Sequence, residues 1–386
     1  MNETTADAAA TPTTGLGRHR LLLGLAGGTL VLGLVAGAGT GFALDGRTAA
    51  SPPTATGALV QGASFFPPEA SRTTRGGATQ AQTPAVAASA DQQVGVVTID
   101  TVLGYQGAAA AGTGMILTSD GLILTNNHVV EGSTDITVTD ETTGQTYAAT
   151  VVGTDATHDV ALLQLQDASD LQTVALDDDN GVTTGETVTA IGNAEGTGSL
   201  VAATGTVLAT EQSMTASSDA SGSNSETLDG LIEFAAAVVG GDSGGALVDD
   251  EGEVVGMTTA ASTSQSSVVA YAISIEDALA IAIQIEQGVD NADIVLGYPA
   301  FLGVSLSSDG SATLAGVLQG TPAAAAGLTA GDTVTSVDGV AVSTASELSA
   351  ALGAHEPGDA VALTWVSGAT GASSSASATL IEGPAA

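Results

Sequence analysis

Between about residue 93 and residue 273 the chain runs as short β-branched stretches separated by Gly, Asn and Asp: VGVVTID, GMILTSDGLILT, DITVTD, YAATVVGT, VALLQL, ETVTAIG and GEVVGMTT. Many short strands with turn signals at this spacing predict an antiparallel barrel or sandwich. Inside this region residues 215–230 are polar and of low complexity, which reads as a mobile surface loop. Ser274-Ile-Glu-Asp277 then opens a helix that runs to a stop at Gly288 and closes the first domain, 91–290. Residues 298–385 form a second unit. There Thr321-Pro322 starts a short helix that ends before Gly327, and Thr344 with Glu347 makes a capping box for another. Strands around these helices give a small mixed α+β module.

The N-terminal part has a different character. Residues 21–44 carry no charge and are almost entirely apolar or small, and 24 residues suffice to span a hydrocarbon core of about 30 Å. Arg18, His19 and Arg20 stand directly before them, so residues 1–20 are expected in the cytoplasm and the rest outside. A cleaved signal peptide is the rival reading. Against it stand the 20-residue leader and an apolar run longer than the usual secretory core. Residues 45–90, rich in Ala, Thr, Pro, Gly and Ser, read as a flexible extracellular linker. Its two aromatics, Phe65 and Phe66, fit either docking on a neighbouring subunit or a local turn cluster.

Charge and cysteine usage exclude several functions. No Lys or Arg occurs after Arg75, whereas 38 of the 42 acidic residues do. Such a polyanion has nothing to neutralise phosphates, which argues against nucleic-acid partners, and anionic membrane surfaces repel it. The simplest meaning of the charge is solubility or a salty environment. Cys is absent, and His19, His128, His158 and His355 lack metal-ligand spacing, so no cofactor or metal is expected.

Chemistry enters at Gly240-Gly241-Asp242-Ser243-Gly244-Gly245. A serine in a tight glycine-lined turn suits acyl transfer, which needs backbone N–H groups converging on a developing oxyanion. The amides of Gly241 and Ser243 are the expected donors. Taken alone, the hexapeptide is also an ordinary turn between strands. A serine hydroxyl needs a base. His128 lies at the end of the apolar strand in GLILTNNHVV, and Asp159 lies just before the apolar strand in THDVALLQL. Singly, these also fit a structural histidine and a turn cap. Together they fall in the order His, Asp, Ser, with spacings of 31 and 84 residues. That is one of the known chain orders of a catalytic triad, and it allows separate barrels meeting at a cleft.

The stretches GTGMILTSDGLILTNNHVVEGS, THDVALLQL, AIGNAEG, GGDSGGALVDDEGEVVGMTTA and YAISI resemble the HtrA/Deg family of trypsin-like serine proteases, a resemblance that covers residues 93–385. It implies a mainly β protein with a chymotrypsin-like double β-barrel. His128 would be the general base, Asp159 its orienting carboxylate and Ser243 the nucleophile. His158 does not match the base position and reads as pointing to the opposite face. The resemblance further implies unfolded or misfolded polypeptides as substrates, a homotrimer, and proteolytic quality control or stress signalling. Two departures stand out. The family usually has Asn before the serine and a Pro in the preceding loop; here Asp242 and Val238-Val239-Gly240 take their places. With no cation available, Asp242 is expected to accept backbone N–H bonds or to have a raised pKa.

Six residues before the serine, where trypsin-like enzymes carry an anionic pocket floor, stands Ala237; Thr258 and Ala260 complete a small uncharged pocket. This predicts cleavage after Val, Ala or Leu. Phe301-Leu302-Gly303-Val304 resembles the carboxylate-binding loop of the PDZ domains that the family carries, and GTPAAAAGLTAGDTVTSVDGVAVSTASELSAAL follows the same pattern. Its amides would hold the terminal carboxylate of a C-terminal peptide added as a strand. An ordinary buried strand start is the plainer account of FLGV. The full expectation is therefore a membrane-anchored, single-pass serine endopeptidase with a PDZ domain. An inactive protease domain acting as a tethered peptide-binding or chaperone protein is the alternative.

Overall fold

A computed structural model describes residues 83–178, 181–217, 225–264, 267–289, 291 and 293–386. The expected cytoplasmic segment 1–20, the apolar span 21–44 and most of the linker 45–90 lie outside the described residues. Among the described residues no helix is long and apolar enough to cross a membrane.

The chain enters through β1 (Val86–Ala87) and the short helix α1 (Ala90–Gln93), which Ser89 caps with a reciprocal capping box. Six strands follow: β2 (Val96–Leu103), β3 (Ala108–Ile116), β4 (Leu122–Thr125), β5 (Asp135–Asp140), β6 (Gln145–Asp155) and β7 (Val160–Leu165). Their antiparallel ladder runs β6-β5-β2-β3-β4-β7, and β6 also pairs with β7, so the sheet closes into a barrel. Closure leaves no free edge within the ring. The near-continuous apolar runs of β2 and β7 are explained by this burial: Val97, Ile99, Leu162 and Leu163 are fully enclosed.

A second set repeats the architecture: β8 (Thr187–Gly192), β9 (Val201–Ser217), β10 (Ser225–Ala235), β11 (Ala246–Val248), β12 (Val254–Ser264) and β13 (Ser267–Ser274). Here the ring is β8-β9-β10-β13-β12-β11, closed by the β11–β8 ladder, while β1 adds to the outer side of β9. Phe234 fills its interior with Val188, Leu247 and Val255 and is fully buried. The sequence expectation of a loop over 215–230 needs correction at both ends, while residues 218–224 lie outside the described residues. Residues 215–217 and 225–230 belong to the long β9–β10 ribbon, with Thr215 opposite Thr227 and Met214 opposite Leu228. The Thr215 and Thr227 hydroxyls bond across the strands at 3.0 Å, and Met214 and Leu228 are buried. The polar composition was misleading because a two-stranded ribbon can keep one face wet while its strands pair with each other.

Helix α3 (Ile275–Glu286) follows as expected, with the Ser274 hydroxyl accepting from the Asp277 amide, and Gly288 taking a positive φ beyond its end. Next, β14 (Ile294–Leu296) returns to the first barrel and pairs with β6. The last unit comprises β15 (Ala300–Phe301), β16 (Val304–Leu306), β17 (Leu314–Val317), α4 (Pro322–Ala326), β18 (Thr333–Val337), β19 (Val340–Ala341), α5 (Ala345–Gly353), β20 (Ala360–Val366), β21 (Ser373–Thr379) and β22 (Ile381–Glu382). Its own core gathers Leu302, Leu314, Leu348, Leu363 and Trp365. Both expected helix signals operate: Gly327 ends α4 in the left-handed region, and Thr344 with Glu347 caps α5 reciprocally.

Because Phe234 is fully enclosed in the second barrel, Phe234→Ala should destabilise the protein by about 3–5 kcal/mol through lost transfer free energy and an unfilled cavity. Urea unfolding of the variant, with an unchanged m-value, would check this; a difference below about 1 kcal/mol would contradict the packing.

Candidate active site

His128 sits on α2 (Asn127–Val130), a single helical turn that follows β4 of the first barrel. Asp159 occupies the residue before β7, also in the first barrel, with a left-handed φ of 55°. That conformation is uncommon for a residue with a side chain. It is held by the Asn126 side-chain amide, which donates to the Asp159 carbonyl at 2.9 Å. The Asp159 carboxylate is 1% exposed. His128 Nδ1 lies 2.9 Å from both of its oxygens, and the His128 backbone amide donates to Oδ1 at 3.0 Å. The Thr259 hydroxyl, from β12 of the second barrel, donates to Oδ2 at 2.5 Å. A carboxylate only accepts, so Nδ1 carries the proton and the Nε2 lone pair is left as the base.

Ser243 lies in the turn between β10 and β11. Its hydroxyl donates to the Thr259 carbonyl at 3.1 Å. A carbonyl cannot donate, so the single serine proton is directed there, and a rotation about χ1 is the movement that redirects it. The turn itself is shaped by glycine. Gly241 has φ of 96°, and a Cβ on it would lie 2.2 Å from the Asn193 carbonyl oxygen; one on Gly244 would lie 2.1 Å from the Thr113 carbonyl oxygen.

Thr113 of β3, fully buried, joins the two barrels at this point. Its amide donates to the Ser243 carbonyl at 2.9 Å and its hydroxyl to the Gly241 carbonyl at 2.7 Å. The same hydroxyl accepts from the Asn193 amide at 2.8 Å. On the other flank the Glu195 amide donates to the Gly240 carbonyl at 2.7 Å. The Gly241 and Ser243 amides themselves have no protein acceptor among the described residues. Neither Thr113 nor Thr259 was singled out from sequence. Their roles depend on contacts across 128 and 100 residues, to which no local pattern points.

Asp242, 3% exposed, accepts one backbone bond, from the Val239 amide at 2.9 Å, while its Oδ1 has no partner. Burial pushes its carboxyl up to about 7, against the smaller opposing effect of the Val239 amide. Both sequence expectations for this residue therefore meet in one geometry.

Around the cleft, Ala237 is half-buried against the second barrel core, and Thr258 is buried with an unpartnered hydroxyl. Ala260 pairs with Tyr271 in the β12–β13 ladder. His158 stands apart from the cluster: its ring is 54% exposed and pairs with Asp155 at 2.8 Å. In the last unit, Gly303 has φ of 86° and the Leu302 and Gly303 amides lack protein acceptors among the described residues. Val304 starts β16, which pairs on one side with β17. The described side chains that could hold a metal ion are Asp249 and Glu253 of the β11–β12 hairpin with Asp177, which follows the Leu176–Val254 bridge. Their oxygens lie within 4.8 Å of one another. Exposed acids also adopt this arrangement without an ion.

The Asp242 shift gives a stability prediction with a definite sign. An acid whose pKa is raised by folding holds its proton in the native state while the unfolded chain loses it. Its favourable contribution is complete below about pH 4 and lost as pH rises to about 7. The loss is on the order of 4 kcal/mol. Asp242→Asn should match the wild type at pH 4 and exceed it in stability at pH 8. Denaturant unfolding of both proteins across this range checks it; parallel curves would contradict the burial argument.

Comparison with known proteins follows the same division of the chain. Residues 112–257 match the trypsin-like peptidase domain model and residues 300–370 the PDZ domain model. Serine protease PepD of Mycobacterium tuberculosis is 35% identical over 289 residues, 70% of this chain and 60% of the relative. The periplasmic pH-dependent serine endoprotease DegQ of Escherichia coli is 32% identical over 65% of this chain and 55% of its own length. The periplasmic serine endoprotease DegP of the same organism is 31% identical over 66% and 54%. The chain thus spans little more than half the length of these curated relatives. A solved structure described as HtrA-type protease AlgW with tripeptide covers 76% of this chain and 97% of its own, at 27% identity and a TM-score of 0.44. On the two domain matches and these relatives, the chain belongs to the HtrA family of trypsin-like serine proteases with a C-terminal PDZ domain.

Proposed function

We propose that this protein is a membrane-anchored serine endopeptidase that hydrolyses peptide bonds in unfolded or exposed segments of other proteins. What supports the reading is Thr259, whose hydroxyl bonds the Asp159 carboxylate that lies 2.9 Å from His128 and whose carbonyl accepts from the Ser243 hydroxyl at 3.1 Å. In the reaction, Ser243 Oγ turns from the Thr259 carbonyl to His128 Nε2 and gives it the proton while attacking the substrate carbonyl carbon. The Gly241 and Ser243 amides receive the resulting oxyanion. Asp159 keeps the ring in its tautomer and stabilises the imidazolium. His128 then protonates the leaving nitrogen, and water releases the acyl group by the same steps in reverse roles.

The finer assignments extend this reading. Ala237, Thr258 and Ala260 form the substrate pocket, whose small uncharged walls favour Val, Ala or Leu before the cut. Phe301, Leu302, Gly303 and Val304 hold the terminal carboxylate of C-terminal peptides in the PDZ domain, residues 298–385. The peptidase domain covers 91–290 and assembles as a homotrimer. Residues 21–44 cross the cell membrane once, with residues 1–20 in the cytoplasm and both domains outside it.

Purified protein should be labelled by a fluorophosphonate and should degrade unfolded casein. Ser243→Ala should abolish both, and His128→Ala should lower turnover by about 10⁴–10⁶. Retention of label in Ser243→Ala, or activity of His128→Ala within about tenfold of wild type, would refute the triad. Product ends read by mass spectrometry should show small aliphatic residues before the cut; a profile dominated by Arg would overturn the pocket assignment. Asp242→Asn should keep wild-type-like activity at neutral pH; a loss above about 10²-fold would contradict a purely local role for that carboxyl.

A further inference from the structure

Beyond β22 the chain leaves the PDZ domain and returns to the first barrel. Strand β22 pairs with β15, placing Ile381 opposite Phe301 in the peptide-binding loop. The Gly383 amide donates to the Pro299 carbonyl at 2.8 Å. Two residues later, Ala385 forms a reciprocal bridge to the turn that ends α2: the Gly132 amide donates to the Ala385 carbonyl and the Ala385 amide to the Ser133 carbonyl, both at 2.9 Å. Ala385 is 2% exposed and belongs to the core cluster that contains Val129 and Val130, the two residues after His128 on the helix. Tyr298, from the start of the PDZ domain, packs against the same cluster.

The bridge matters because α2 is one turn long and has little stability of its own. Its following turn is closed by the Glu131 and Ser133 amides, which donate to the carbonyls of Asn127 and Val130. The Gly132 amide, at φ 74°, is directed instead at Ala385. The His128 ring therefore stands on a short helix clamped from three sides. Asp159 holds its first turn, the barrel core holds Val129 and Val130, and Ala385 holds its exit.

We propose that Ala385 is a positioning residue for His128: residues 383–386 act as an added strand whose docking at Gly132 and Ser133 fixes α2 for catalysis. The inference rests on the triad reading above. Through the Phe301–Ile381 pairing, the same tail connects the peptide-binding loop to the base.

The test uses the full chain with Ala385→Asp, which places a charge in the apolar seat, Ala385→Gly, which keeps both backbone bonds, and a chain ending at Gly383. Hydrogen exchange at the Gly132 amide reports docking directly, because its acceptor in the fold is the Ala385 carbonyl. Cleavage of a short chromogenic peptide reports the base. Ala385→Asp and the shortened chain should exchange Gly132 at least about 100-fold faster and lose about 10–100-fold in kcat, with KM nearly unchanged. Ala385→Gly should behave as wild type. Faster exchange with unchanged kcat would overturn the proposal, as would protection of Gly132 in both Ala385→Asp and the shortened chain. A matching rise in KM would point to a general loss of structure and also count against it. An unreactive wild type towards fluorophosphonate would sink the triad reading itself and this inference with it. A reactive wild type with indifferent variants would sink only the inference.

Discussion

Thr113 is the residue on which the geometry of the cleft depends. It belongs to the first barrel, yet its amide and hydroxyl hold two carbonyls of the serine turn in the second, and its hydroxyl accepts from a third segment. A buried hydrogen bond contributes only about 1 kcal/mol net, but a buried partner left without one costs about 1–3 kcal/mol. Three contacts converging on a fully enclosed threonine therefore fix the barrels more by penalising separation than by attraction. Ion pairs could not serve here. From residue 76 onward the chain has no Lys or Arg, and the charge pairs among the described residues are histidine with carboxylate. A chain of net charge −37 resists compaction by self-repulsion, so its internal joints have to be hydroxyls and peptide groups.

Asp242 makes sense in the same light. In a chain with cations, a buried carboxylate beside the nucleophile would be paired. Here it has one amide and an empty second oxygen, and retention of a proton to near neutrality is the physical consequence. The contrast with Asp159 is instructive. Both acids are buried, but Asp159 receives an imidazole, a backbone amide and a hydroxyl, whereas Asp242 receives one amide. Burial with a single donor is what leaves Asp242 better protonated.

Legibility from sequence followed the range of the interactions. Caps at Ser274 and Thr344, the α4 start at Pro322 and the strands of both barrels are written in residues a few positions apart, and they were readable. His128, Asp159, Ser243 and the Phe301–Val304 loop were readable as motifs. The contacts that join Asp159 and the Ser243 hydroxyl through Thr259 were not, because the Thr259–Asp159 bond crosses from the second barrel to the first. Residues 215–217 and 225–230 are strand although their polar composition argues against it. Thr is a good strand former, and a ribbon with one wet face needs few apolar residues. Thr113, Thr259 and Ala385 were invisible because each is a common residue type made special by a distant partner.

The active site is thus assembled from elements that are individually weak. Alone, α2 is too short to persist, Asp159 occupies an unfavourable backbone region, and the serine turn depends on glycines whose freedom would otherwise disorder it. Each is stabilised from outside: α2 by the barrel core and Ala385, Asp159 by Asn126 and Thr259, the serine turn by Thr113 and Glu195. A site held this way is sensitive to its supports. Loosening any one of them shifts the position of a catalytic group without unfolding either barrel. Since one support of α2 is contributed by the chain leaving the PDZ unit, the position of His128 and the state of that unit are mechanically joined by the five residues from Ile381 to Ala385, a reach of about 17 Å at most at about 3.3 Å each.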